Sequence, residues 1–365
     1  MAINFTFIGK MSIGKDTEKK QAYVEKEHKN EKTGEVKGYS RRLNLVVKCG
    51  EDTFFPTVGG YMGNVIYSLA KADNKSITFP ATKRNEFLSQ IADFKKYSFV
   101  DKANEVRYDF TTEYDLAMCV HQLLQEEKYK DTVFRVNGEV EYSTYVSDGV
   151  EKTFKNYKVT KIYTTASDTE QQAVVSTDFY VAEDCFDESK VESDSLLTIM
   201  GYVPVYDSAK KKLCGDGTRG YFEKYEFDLS TDEAKRDKQV EALKRKFAPN
   251  TENGEGYLSK TGLHVKLINR TDAVEFDESM LSEDELLDVE LGITTLEELK
   301  EFYSGGKSNS YTQRQVMCGF KPNYLGGTQK SMYTVADLIS DGSKKEELFI
   351  DFGGSVDDID DIFGV

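Results

Sequence analysis

At 365 residues the chain is longer than a single core usually spans, and two or three domains are expected. A hydrophobic fraction of 39% against 31% charged residues is the balance of a water-soluble protein, and no apolar run reaches the roughly 18–20 residues that cross a bilayer as a helix. The net charge of −16 would argue against a polyanion ligand if it were evenly spread, but residues 1–112 hold 19 Lys and Arg against 14 Asp and Glu, and the remainder 29 against 50.

The opening residues, Met1 to Phe5, lack the basic start and long apolar stretch of a signal peptide, so a cytoplasmic protein is expected. Ile3, Phe5 and Phe7 alternate with Asn4, Thr6 and Ile8 as a half-buried strand. From Lys15 to Lys37 the chain is charged and nearly without aliphatic residues, which predicts a mobile basic hairpin tip or loop. Arg41 to Cys49 is the clearest strand, with Leu43, Leu45 and Val47 on one face and Arg42, Asn44 and Lys48 on the other. The turn at Gly50, Glu51 and Asp52 returns it as a partner strand over 53–58, and 64–69 and 76–79 read as further short strands. About five short strands in roughly 110 residues suit a Greek-key OB-like barrel, assigned to residues 1–112 as a strand-binding domain.

Beyond it the period changes. Leu116, Val120, Leu123 and Leu124 mark an amphipathic helix within 110–128, capped by Thr111 or Thr112. Strands over 132–145, 154–164, 174–181, 196–206 and 221–229 then predict a second OB-like barrel over 113–230. A capping box at Ser230 and Glu233 opens a charged helix to Phe247, and the polar, glycine-bearing stretch 249–256 reads as a linker, giving a helix-and-linker segment over 231–256. A strand at 264–268, capping boxes at Ser282/Glu285 and Thr295/Glu298, and a helix near 334–339 make an acidic α/β region over 257–350, followed by a flexible tail over 351–365. The expected fold is mainly β, α+β overall, with two OB-like barrels.

Little here suggests chemistry. Cys49, Cys119, Cys185, Cys214 and Cys318 contain no C-x-x-C pair, and with only three histidines a metal site is not expected. Ser304-Gly-Gly-Lys-Ser308 ends like a phosphate loop, but Glu301 stands where the first glycine belongs, and Gly326 to Ser331 lacks the spacing. Neither an enzyme nor a cofactor is expected.

The positive signal is a basic and aromatic block. Tyr39, Arg41, Arg42, Lys48, Phe54, Phe55 and Tyr61, with Lys10 from the first strand, fall on one hairpin and its edges. On a barrel face, Arg and Lys track phosphates while rings stack on unpaired bases, each stack contributing ~1–3 kcal/mol without regard to sequence. Alternation places one of Phe54 and Phe55 in the core and turns the other outward.

The terminus adds a second signal. Gly353 and Gly354 precede Asp357, Asp358, Ile359, Asp360, Asp361, Ile362 and Phe363, an acidic run with apolar residues threaded through it. It resembles the tail of bacterial-type single-stranded-DNA-binding proteins, in which an OB-fold domain carries an acidic run closed by Ile-Pro-Phe. Here no proline separates Ile362 from Phe363, and Gly364 and Val365 follow. The opening Ile3 to Lys10 is similar to longer phage-encoded replication proteins of this class. The resemblance implies a single-stranded-DNA-binding protein that protects unpaired strands during phage-type replication, its tail residues recruiting replication or recombination proteins. The competing expectation is an acidic interaction adaptor or DNA mimic that binds no nucleic acid. The oligomeric state stays open.

Overall fold

The computed structural model describes residues 3–17, 21–147, 150–206, 218–250, 252, 256–272, 281–291, 293–302, 310–338 and 350–351. In the first part of the chain these form β1 (Asn4–Ile13), β2 (Tyr23–Lys29), β3 (Val36–Cys49), β4 (Asp52–Phe54) and β5 (Thr57–Gly63). A small separate hairpin follows, β6 (Val65–Leu69) with β7 (Ser76–Pro80), then α1 (Arg84–Phe87), β8 (Tyr97–Asp101) and β9 (Val106–Phe110). The helix α2 (Glu113–Leu123) and the long hairpin β10 (Val133–Ser147) and β11 (Val150–Thr164) complete the set.

The pairings close a five-stranded ring. β1 runs antiparallel to β3, and β3 antiparallel to β5. β5 meets β11 in parallel, β11 pairs antiparallel with β10, and β10 returns antiparallel to β1. A helix between the third and fourth strands of such a ring is the OB arrangement. Inward residues alternate along each strand, so Phe5, Phe7, Leu43, Leu45, Val47, Phe134, Val136 and Val159 all face one core. α2 lays Leu116, Ala117 and Val120 on that core, and its first turn is capped by Thr112, whose hydroxyl accepts from the Asp115 backbone N–H at 3.2 Å.

The rest of the chain repeats this plan. It comprises β12 (Gln172–Val181), β13 (Phe186–Asp187), α3 (Val191–Asp194), β14 (Leu196–Tyr206), β15 (Thr218–Asp228) and α4 (Glu233–Lys246). Then come β16 (Tyr257–Asp272), α5 (Glu283–Glu290), α6 (Leu296–Phe302), β17 (Ser310–Phe320), β18 (Gln329–Thr334), α7 (Val335–Leu338) and β19 (Ile350–Asp351). β12 pairs with β14, β14 with β15, β15 in parallel with β17, β17 with β16, and β16 with β12. α4 again sits between the third and fourth strands and buries Leu243, with Phe247 just beyond it. Two OB-type barrels are therefore present, as the sequence leads one to expect.

Their limits differ from the expected ones, and for a single reason. The sequence reading sets a boundary at each helix, whereas in this topology the helix lies inside the barrel. The first barrel takes its fourth and fifth strands from 133–164, beyond residue 112, and the second takes its own from 257–320. The stretch 249–256, expected to be a linker, joins α4 to β16 within the second barrel, and the Asn250 backbone N–H donates to Ser259 Oγ at 2.9 Å. The segment 257–350 supplies two barrel strands rather than a separate unit, with α5 and α6 inserted between them. The cap of α4 is also shifted: Asp232, not Ser230, accepts from the Lys235 backbone N–H. At α5 and α6 the reciprocal Ser282/Glu285 and Thr295/Glu298 hydrogen bonds form as expected.

Several contacts join the barrels, a strand pairing and a buried ion pair among them. Asn4–Ile8 of β1 pairs antiparallel with 172–176 of β12, so the first strands of the barrels run against each other about an approximate two-fold axis near Thr6 and Val174. Beside this seam the β10–β11 hairpin of the first barrel reaches the second. Lys155 Nζ lies 2.7 Å from Glu223 Oε2 and donates to Gln315 Oε1 at 2.8 Å, while the Tyr142 hydroxyl donates to Glu223 Oε1 at 2.7 Å. The Lys155 and Glu223 side chains are 6% and 2% exposed, so this ion pair is out of water. Tyr142 also stacks on Tyr221 of β15, ring centroids 4.5 Å apart.

Candidate nucleic-acid interface

β2 and β3 form a hairpin within the stretch expected to be a mobile basic hairpin tip or loop. The alternation of Tyr23 to Lys29 carries charges rather than aliphatic residues, so it is visible only once paired with β3. Its register sets Val24 opposite Arg42, Lys26 opposite Ser40 and His28 opposite Gly38, while Glu25 faces Arg41 and Glu27 faces Tyr39. Directly paired residues share a face. Since Leu43, Leu45 and Val47 point into the core, the row 38, 40, 42, 44 and 48 of β3 points outward. The two acids of β2 thus fall on the inner side, and Lys26 and His28 on the outer.

The same logic adds neighbours. β5 places Tyr61 opposite Ser40 and Gly59 opposite Arg42, and β1 places Lys10 opposite Lys48. Arg42, Lys48 and Lys10 are exposed, with Lys10 2.8 Å from Asp131. Tyr61 is 57% exposed, and its ring lies across Gly38. A Cβ at Gly38 would stand 2.5 Å from the Tyr61 hydroxyl oxygen, so only glycine leaves room for the ring to lie flat there. The hydroxyl donates to the Lys37 carbonyl at 2.8 Å, and His28 meets the ring edge-on at 5.5 Å. His28 itself is held by Ser40, its Nε2 2.7 Å from the hydroxyl. The result is a pre-positioned aromatic plate on a basic sheet surface.

Not every residue expected at this site belongs to it. Phe54 is 1% exposed and stacks on Phe7, centroids 4.7 Å apart, so it is core and cannot reach a base. Phe55 is half-buried, the less enclosed of the pair. Arg41 points to the inner side, where Glu25 Oε1 lies 3.0 Å from its Nη2 and its guanidinium sits 3.9 Å above the Tyr114 ring of α2. That bond is the first cause holding the Glu25 carboxyl below the ordinary carboxylate range, and Tyr114 donates to the same oxygen at 2.9 Å. Arg41 is thus committed to tying β2, β3 and α2 together. Tyr39 is 38% exposed but shares Arg41's side of β3, away from Arg42 and Lys48. Lys10, Arg42, Lys48 and Tyr61 share one face along β3, and Lys26, His28 and Ser40, which sequence reasoning missed, lie on it beside Tyr61. The tail residues Asp357 to Phe363 lie outside the described residues.

Among the described residues no group of three His, Cys, Asp or Glu converges to hold a metal ion, and no helix is long and apolar enough to cross a membrane. Strand order and helix placement define a mainly β protein of two OB-type barrels. No protein-family model matches the chain, and no curated protein matches it. Among solved structures, a deletion mutant of the single-stranded DNA binding protein from Thermus aquaticus is similar, with a TM-score of 0.30 at 11% identity over 74% of this chain and 87% of that chain.

Proposed function

We propose that the chain binds single-stranded DNA stoichiometrically on the outer face of the first barrel, protects unpaired strands during replication of the phage type, and performs no catalysis. The observation that carries this reading is the Tyr61 ring, exposed and fixed flat on the face that holds Arg42 and Lys26, with Lys48 and Lys10 farther along the same face. Cations along the same face suit a phosphate backbone, and an open ring face suits an unpaired base of any identity. In this reading Arg42, Lys48, Lys26 and Lys10 track the strand, and the protein works in the cytoplasm of the host cell.

Tyr61→Ala is expected to weaken oligothymidylate binding by ~1–3 kcal/mol, the worth of one stacked base. Tyr61→Phe keeps the ring and should stay close to the parent. Anisotropy titration of both, with melting curves alongside, checks this. An alanine variant that binds as well as the parent would remove the ring from the site.

The tail over 351–365 is proposed to recruit replication or recombination proteins, with Ile359, Ile362 and Phe363 as apolar anchors among Asp357, Asp358, Asp360 and Asp361. Five Asp in this stretch also favour a weak contest with DNA for the basic face. Deleting residues 355–365 should tighten DNA binding at low salt, with the gain fading as the Debye length falls below ~10 Å. A truncation with the parent's affinity at every salt concentration would show that the tail does not compete.

One observation favours a reading through protein contacts. Leu286, Leu287, Leu291 and Ile293 are exposed on and beside the acidic helix α5. An adaptor for a basic partner would use such a surface, and a chain that bound no oligonucleotide at low salt would favour that reading.

A further inference from the structure

Because the second barrel repeats the first strand for strand, its β14–β15 pair corresponds to the β3–β5 pair that carries Arg42 and Tyr61. Leu197, Ile199 and Val203 of β14 and Tyr221 and Tyr225 of β15 are buried inward, so Met200, Tyr202 and Pro204 face outward, opposite Lys224, Phe222 and Gly220. Tyr180 of β12 stands opposite Tyr202 on the same face, and the Tyr202 and Phe222 rings meet edge-on at 5.6 Å. This row holds more rings than its counterpart in the first barrel. Lys224 is exposed, and the sequence joining β14 to β15 contains Lys210, Lys211 and Lys212.

Here, unlike in the first barrel, the face is covered by the chain itself. After β17 the chain returns as β18 and α7. Tyr333 packs edge-on to Tyr180 at 5.5 Å, with its hydroxyl oxygen 3.2 Å from Thr218 Oγ1. Leu338 lies over Gly220, where a Cβ would stand 2.6 Å from Leu338 Cβ. Tyr180, Leu258, Tyr333 and Leu338 form a small core of their own, apart from the barrel interior. The cover is short: β18 pairs with β16 at three positions, and α7 is a single turn capped by Thr334, whose hydroxyl accepts from the Asp337 backbone N–H. The sequence that follows, 339–365, holds eight Asp and Glu against two Lys.

We infer that the outer face of the second barrel, built on Tyr180, Tyr202, Phe222 and Lys224, is a second site for single-stranded DNA, and that residues 329–338 are a strap that closes it. This rests on the strand-binding reading of the first barrel. A strand long enough to leave the first face competes with Tyr333 and Leu338 for the rings beneath. Binding is then graded: short strands use one face, and long strands open the other.

The test counts strands per chain by native mass spectrometry, using an oligothymidylate of about eight nucleotides, within the roughly 4–16 that one such barrel spans. The full-length parent is compared with Leu338→Ala, which leaves the face unaltered, and with Gly220→Val, whose side chain expels Leu338. One strand on the parent and two on the variants is the expected result. One strand on all three overturns the second site and leaves the first-barrel reading standing; none on any of them overturns both. Should the variants misfold, the parent alone decides: an oligothymidylate of about forty nucleotides should speed amide exchange across 329–338 where the short one does not. Exchange that stays unchanged overturns the strap.

Discussion

Glu223→Leu is expected to lower the stability of the chain by ~3–5 kcal/mol, the usual loss when one partner of a buried ion pair is removed. The geometry explains the size. Glu223 accepts from Lys155, Tyr142 and Gln315, which come from both barrels, and none of these donors can turn to water once the carboxylate is gone. Burial already holds the Lys155 ammonium below the ordinary lysine pKa, so its charge depends on that carboxylate for compensation. Lys155→Met alone should be about as damaging, because it strands the carboxylate instead. The double variant Lys155→Met/Glu223→Leu should recover much of the loss, since a well-packed apolar pair is often as stable as the ions it replaces. Denaturant melts of all four proteins measure the coupling. Strictly additive losses would mean that the pair is not coupled in the fold.

The second large effect concerns charge. Arg42→Glu with Lys48→Glu should reduce the log–log salt slope of single-strand binding by about 1.4, at ~0.7 for each phosphate that is no longer neutralised. Extrapolated from a 1 M reference to 0.1 M salt, that corresponds to about 25-fold weaker binding. Both side chains are exposed on the outer face, so the melting temperature should hardly move. Arg41→Glu should behave in the opposite way. It separates the side chain from Glu25 and Tyr114, so it should destabilise the hairpin and α2 with no specific change in salt slope. A variant at Arg42 and Lys48 with the parent's slope would move the strand elsewhere.

That contrast shows what the sequence carries and what it hides. The inward row Leu43, Leu45 and Val47 is plain from its period of two, and extending that period to residue 41 already points Arg41 inward. The outward direction of Arg42 and Lys48 follows from the same count. Phe54 is buried by the alternation that required one of two adjacent rings to be core. The regular strand β2 was hidden because Glu25, Lys26, Glu27, His28 and Lys29 carry no apolar signal, and their order matters only through pairing with β3. The barrel limits were hidden for a different reason. A strand has no local mark for the partner it will choose, and β5 and β11 meet across about a hundred residues of chain. The flat seat of Tyr61 depends on Gly38, twenty-three positions earlier, and nothing local announces that dependence.

The seam between β1 and β12 has a consequence for how the chain is made. Asn4–Ile8 leaves a ribosome well ahead of its partners on the two sides, 135–139 and 172–176. At synthesis rates of roughly 5–20 residues per second, this half of β1 waits on the order of ten seconds before either partner emerges. Throughout that interval Ile3, Phe5 and Phe7 are displayed on an unpaired edge, the kind of segment that holding chaperones bind and that nascent chains on neighbouring ribosomes can capture. The half of β1 on which both barrels depend therefore stays unpaired long after its other half, Lys10–Ile13, can meet β3.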